Sequence, residues 1–142
     1  MVNPVKVSFE FFPPSDESMG QQLWSCVQRL ARLQPEFVSV TYGADGSTRS
    51  RTHECVLRML RETDLVVAPH LTCVGATRAE VLRIAEGYWR QGIRHLVALR
   101  GDPQAANLSD GRYCPDADGF AYASDLVEGL TGVGTFDVAV AA

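Results

Sequence analysis

Polar side chains with chemical uses stand where four apolar runs end. Glu10 lies within 7–14, Val-Ser-Phe-Glu-Phe-Phe-Pro-Pro, and Thr41 and Tyr42 close 37–42. His70 and Thr72 lie near the end of 65–73, and Arg100 and Asp102 end the run that begins at His95. A carboxyl group beside Phe9, Phe11 and Phe12 is costly when ionised unless it is paired, wetted or used, which makes Glu10 the first residue to explain. A structural ion pair or a solvated strand end accounts for it as well as proton transfer does. Each of the others also has an unremarkable role open to it. Thr41 can bond the turn that follows, His70 can be a satisfied structural histidine, and Arg100 and Asp102 can pair across a tight turn. One polar strand end means little, whereas the same arrangement on four consecutive strands points to one shared site.

The elements that must position these groups follow from periodicity. Residues 7–14 read as a strand stopped by Pro13 and Pro14, with Ser8, Glu10 and Phe12 on one face and Val7, Phe9 and Phe11 on the other. Ser15, Asp16 and Glu17 offer capping oxygens to a first helix, whose apolar stripe is Leu23, Val27, Leu30 and Ala31. A second strand spans 37–42 and a second helix 48–61. A third strand spans 65–73, where Pro69 predicts a bulge or bend. Thr77 and Glu80 have the spacing of a capping box for a third helix, which ends at Gly92. The fourth strand begins at His95 and stops at Gly101-Asp102-Pro103. A polar stretch, 104–119, reads as a mobile surface loop. A fourth helix capped by Ser124 or a neighbour ends at Gly129, Gly132 and Gly134, and a fifth strand spans 136–142. Strand and helix alternate, the signature of an α/β fold with a parallel sheet. His53 and His95 have no partner pattern.

Composition narrows the function classes. The 142 residues suffice for one domain, and 46% apolar content is that of a globular protein. A net charge of −4, with no basic stripe, argues against nucleic acid as a partner. Cys26, Cys55, Cys73 and Cys114 lack metal-ligand or Cys-x-x-Cys spacing, so a reduced compartment is expected and no metal site. No apolar run is long enough to span a membrane, and the first strand leaves no room for a leader, so the expected location is cytoplasmic.

Five blocks together resemble the bacterial 5,10-methylenetetrahydrofolate reductase family. They are Ser-Phe-Glu-Phe-Phe-Pro-Pro at 8–14, Phe-Val-Ser-Val-Thr-Tyr-Gly-Ala at 37–44, Ala-Pro-His-Leu-Thr-Cys at 68–73, Gly-Ile-Arg-His-Leu-Val-Ala-Leu-Arg-Gly-Asp at 92–102 and Tyr-Ala-Ser-Asp-Leu at 122–126. Their order and spacing are those of the family. The resemblance implies a flavoprotein on a (β/α)8 TIM barrel, with FAD carrying reducing equivalents from NADH or NADPH to a folate substrate. The product is 5-methyltetrahydrofolate, which feeds methionine synthesis. It implies that Glu10 is the general acid that opens the folate ring, and that an aromatic, partly dry strand end raises its pKa. By the same resemblance, Asp102 stands near flavin and folate, and Thr41 is a nicotinamide-side contact. Tyr42, Ala44, His70, Arg100, Gly101, Asp102, Tyr122 and Ala123 match flavin-contacting positions. The full-length family enzyme is expected to be a homo-oligomer.

The family's barrel needs about twice this length. The expectation is therefore the N-terminal part of a single barrel domain over 1–142, with five strands and four helices, unpaired edges at strands 1 and 5 and an uncovered inner face. Such a chain is expected to hold FAD weakly or not at all and to turn over little. Stoichiometric flavin absorbance on the purified chain would contradict that. A half-barrel that binds flavin or folate without turnover, one that pairs with a separate C-terminal chain, and a remnant without function are the competing readings.

Overall fold

A computed structural model of the chain describes residues 5–42 and 49–140. Ala44, the turn around it and Thr48 lie outside the described residues. In chain order the elements are β1 (Ser8–Phe11), α1 (Glu17–Ala31), β2 (Phe37–Val40), α2 (Arg49–Glu62), β3 (Val67–Thr72) and α3 (Arg78–Arg90), then β4 (His95–Leu99), a 3-10 turn (Ala105–Asn107), β5 (Leu108–Ser109), β6 (Arg112–Tyr113), α4 (Ala123–Leu130) and β7 (Asp137–Val140). Five strands form one sheet in the order β1-β2-β3-β4-β7, and every pair in it is parallel. Each strand lies beside its predecessor, the order found in the wall of a (β/α)8 barrel. The expected α/β class, five parallel strands and four helices are all observed.

Local chemistry sets the helix boundaries. Of the three capping candidates before α1, Asp16 does the work, its carboxylate accepting from Met19 N–H at 2.8 Å. The capping box of α3 forms as expected: Thr77 Oγ1 accepts from Glu80 N–H, and Glu80 Oε2 accepts from Thr77 N–H at 2.8 Å. Gly92 ends that helix at φ +91°. Because one side chain satisfies each orphan donor, Thr77→Ala is expected to cost about 1 kcal/mol of stability. A urea-unfolding midpoint that drops with unchanged slope would register it. At α4 the N-cap is Tyr122, whose backbone N–H donates to Asp125 at 3.0 Å. Gly129, expected to end this helix, lies inside it. A Cβ there would stand 2.5 Å from the Phe120 ring, so the glycine is needed for packing and not for stopping.

Two further expectations change. No bulge forms at Pro69, which keeps register with Val40 inside β3. Val38 N–H bonds to Val66, and Cys73 N–H reaches Leu99 and Arg100. The odd residues of β3 therefore direct their N–H groups toward β4, and pairing with β4 begins only at His70. The missing N–H of Pro69 thus falls just before that ladder starts, where it costs least. The stretch 104–119 is not an unstructured loop. It carries the β5–β6 antiparallel hairpin. It is also pinned by Asn107, which is buried, donates to Asp116 at 3.0 Å and accepts from Cys114 N–H at 2.8 Å. Strands of two residues are too short for alternation to reveal.

The two faces of the sheet differ. Val38, Val40, Val67, Leu71, Leu96 and Ala98 point to the helices and meet Val27, Val56, Met59, Val81, Ala85, Tyr88, Leu126 and Leu130 in one core. Partners in register share a face. Ser8, Glu10, Ser39, Ala68 and His70 therefore lie on the opposite face, which no described helix covers. β1 and β7 are its edges.

Candidate active site at the carboxyl ends of the strands

The register assembles the polar face row by row. Glu10 is level with Ser39, which is level with Ala68, and His70 is level with Val97. The short side chains of Ser39 and Ala68 let two long ones meet across β2. Glu10 Oε2 comes within 3.1 Å of His70 Nε2. This is a close approach and not an aligned hydrogen bond, since His70 Nε2 has no aligned partner among the described residues, and it becomes an ion pair only when the imidazole is protonated. The two residues differ in exposure: the His70 side chain is 10% exposed and that of Glu10 is 51%.

Burial lowers the pKa of His70 from its usual value, and the Glu10 carboxylate only partly opposes this. A base whose pKa is lowered by folding binds fewer protons folded than unfolded. Its contribution to stability is therefore present above pH ~6.5, the unfolded value, and is lost as pH falls from there toward the lowered folded value. His70→Asn is expected to flatten that part of the stability-against-pH curve, measured by urea unfolding at stepped pH. A curve that keeps its slope in the variant would assign the titration elsewhere.

The partly dry, aromatic surroundings expected for Glu10 are not what the described residues provide. Phe9 and Phe11 point to the helix side, and Phe12, which shares the face of Glu10, is 69% exposed. Any drying of Glu10 must come from whatever covers this face. Thr41 also lies on it, half-buried, its carbonyl accepting from Thr52 at 2.9 Å. Tyr42, the next residue, turns to the helix side and is buried there beside Arg49. Its side chain is thus separated from Glu10 and His70 by the sheet.

At the end of β4 the chain makes a sharp turn that only glycine fits. Gly101 has φ +87°, and a Cβ there would lie 2.6 Å from Val74 Cγ1 and 3.1 Å from Thr72 Cβ. The Arg100 carbonyl accepts from Val74 N–H at 2.8 Å, locking this turn to the one after β3. The Arg100 guanidinium lies 4.7 Å from the centre of the Tyr113 ring, which meets Tyr122 edge-on at 5.9 Å. Arg100 does not pair with Asp102, which is exposed; its Nε donates to Gly101 O. Tyr122 is 54% exposed, and Ala123 is the first residue of α4. The structure therefore gathers the proposed residues into two groups: Glu10 with His70, and Arg100 and Gly101 with Tyr122. Between β1 and β4 lie three strand spacings, roughly 14 Å along the sheet, so Glu10 and Asp102 flank the site from opposite sides.

One pair escaped the sequence reading. His95 Nδ1 lies 3.2 Å from Asp137 Oδ2, the two residues being level across β4 and β7 on the polar face. Only the register of strands 42 positions apart brings them together. Among the described residues no three His, Cys, Asp or Glu side chains cluster to hold a metal.

The methylenetetrahydrofolate reductase family model matches residues 3–142. The chain belongs to that family. It is 50% identical over 138 residues to the 5,10-methylenetetrahydrofolate reductases of Escherichia coli K12 and Salmonella typhimurium LT2, a match covering 97% of this chain and 44% of each relative. A methylenetetrahydrofolate reductase (NADH) 1 of Arabidopsis thaliana is 36% identical over 120 residues, 84% of this chain and 20% of that protein. The chain thus spans less than half the length of the bacterial family members it matches. The family's parallel strands, met here as β1 to β4 and β7, carry every described residue singled out from the sequence on or just after a strand, except Tyr122 and Ala123 at the start of α4.

Proposed function

We propose that this chain supplies the first part of the active site of a methylenetetrahydrofolate reductase, a cytoplasmic single-barrel enzyme that reduces 5,10-methylenetetrahydrofolate to 5-methyltetrahydrofolate with NADH or NADPH. The observation that carries the proposal is the Glu10–His70 contact on the uncovered face of a parallel sheet, at the strand ends where such folds bind ligands. FAD, when bound, supplies the two-electron relay between nicotinamide and folate.

The residues present suit that group. Gly101 makes the tight turn, packed on Val74 and Thr72, that sets where Arg100 stands. Arg100 is a cation stacked on Tyr113, fit for phosphate or a reduced, anionic ring. Exposed Tyr122 opens α4 and offers a ring to the group, while its backbone N–H is held by Asp125. Thr41, just after β2, lies on the same face as Glu10 and His70.

Glu10 acts on the folate. A carboxyl group that holds its proton can give it to the nitrogen of the bridging methylene, opening the five-membered ring to a reactive iminium. His70, whose protonated form burial disfavours, stands beside the carboxyl group at 3.1 Å and positions it. Asp102, exposed beyond β4, can face the iminium cation with a carboxylate. The test is a chimera in which this chain replaces the matching segment of the Escherichia coli relative. It is expected to carry flavin and to form 5-methyltetrahydrofolate. A folded, flavin-loaded chimera that forms none would refute the proposal.

A further inference from the structure

The helix side of the sheet holds a second concave site, a cleft of about 510 Å³ between α2 and α3 floored by Tyr42. Its volume is in the range of small-molecule sites. Two buried polar atoms in its lining have no hydrogen-bond partner among the described residues, the Tyr42 hydroxyl and Arg49 Nε. Tyr42 itself is only 9% exposed. A native fold rarely leaves two such donors unmet side by side, since each costs about 1–3 kcal/mol. Arg83 approaches from α3 as a second, exposed guanidinium. The carboxylate in the lining, Glu80, is already held by Thr77 N–H and Oγ1 in the capping box. Its charge also acts on Arg49 and Arg83, and two guanidiniums against one carboxylate leave the lining of the cleft with an excess of positive charge. Its far wall is apolar: Ile84 and the Tyr88 ring flank Gly87, where a Cβ would meet nothing within 4 Å.

We infer that this cleft binds a small organic anion, its oxyanion between Arg49 and Tyr42 and its apolar body against Ile84 and Tyr88. The two unmet donors supply the hydrogen bonds, and Arg83 adds charge from the opposite wall. Both donors are shut from solvent, so entry of the oxyanion turns the half-buried Arg49 side chain outward. Phosphate monoesters and carboxylates share this chemistry. The site lies across the sheet from Glu10 and His70, so it stands or falls independently of the reductase proposal.

The test titrates the chain with phenyl phosphate, benzoate and neutral benzyl alcohol, following the Arg49 Nε–H and Tyr88 ring signals by NMR. At least one anion is expected to shift both signals to saturation, the tighter of the two naming the oxyanion class, while the alcohol does not. Arg49→Gln is expected to weaken that binding by about tenfold or more, as loss of a charge-assisted hydrogen bond requires. Arg83→Gln, on an exposed position, tests the same charge should Arg49→Gln fold poorly. Absence of saturable shifts with both anions, equal binding of the alcohol, or unchanged affinity in a folded arginine variant would overturn the inference.

Discussion

Glu10→Gln, made in the chimera with the Escherichia coli relative, is expected to leave reduction of bound flavin by NADH or NADPH intact and to slow folate reduction by roughly 10²–10⁴-fold. Glutamine keeps the volume and the 3.1 Å approach to His70 but has no acidic proton to give. Rapid-mixing measurement of the two half-reactions separates the effects. The first involves no ring opening and so needs no acid from Glu10. If the second half-reaction survives at the parent rate, the proton comes from elsewhere, and the meeting of Glu10 with His70 is a structural contact. The half-exposed setting of Glu10 gives this experiment its weight. The described residues do not bury the carboxyl group, so its readiness as an acid depends on the bound ligands and on what covers the open face.

Gly101→Ala is expected to be the most damaging small substitution near the site, costing on the order of 2–4 kcal/mol. Two penalties add. A Cβ at φ +87° is strained, and it would press to 2.6 Å from Val74 and 3.1 Å from Thr72. Val74 and Thr72 cannot both retreat, because Val74 N–H is tied to the Arg100 carbonyl and Thr72 is paired with Leu99. The turn that aims Arg100 and Asp102 would move, so flavin retention should fall together with the unfolding midpoint. Thermal unfolding and visible absorbance measured on one preparation would show both. An alanine variant of parental stability would mean that the turn relaxes freely and that its shape is not essential.

The sheet and its polar end were legible in the chain because both rest on local patterns. Apolar runs stopped by Pro13, by the glycines that follow Tyr42 in the sequence and by Gly101 mark strands, and Thr77 with Glu80 marks a helix start three residues long in sequence and in space. Contacts that depend on register were not legible. His70 reaches Glu10 only because Ser39 and Ala68 between them are small, and His95 reaches Asp137 only because β7 adds to β4 in one particular alignment. Tyr42 shows a subtler limit. Alternation requires it to face away from Thr41, yet both end the same strand, and its neighbourhood of Arg49 and Arg83 comes from two helices far apart in sequence. The β5–β6 hairpin was hidden for a different reason. It is held by Asn107 and by the Tyr113 hydroxyl, which donates to Ala121 at 2.9 Å, and not by a hydrophobic pattern.

The central claim is that the strand ends of this chain pass reducing equivalents from nicotinamide to folate. Anaerobic mixing of the flavin-loaded chimera with NADH or NADPH, followed by 5,10-methylenetetrahydrofolate, tests it most directly. The account predicts that the visible flavin band bleaches on the first addition and returns on the second, with 5-methyltetrahydrofolate formed in equal amount. A band that bleaches and stays bleached when the folate is added would contradict it.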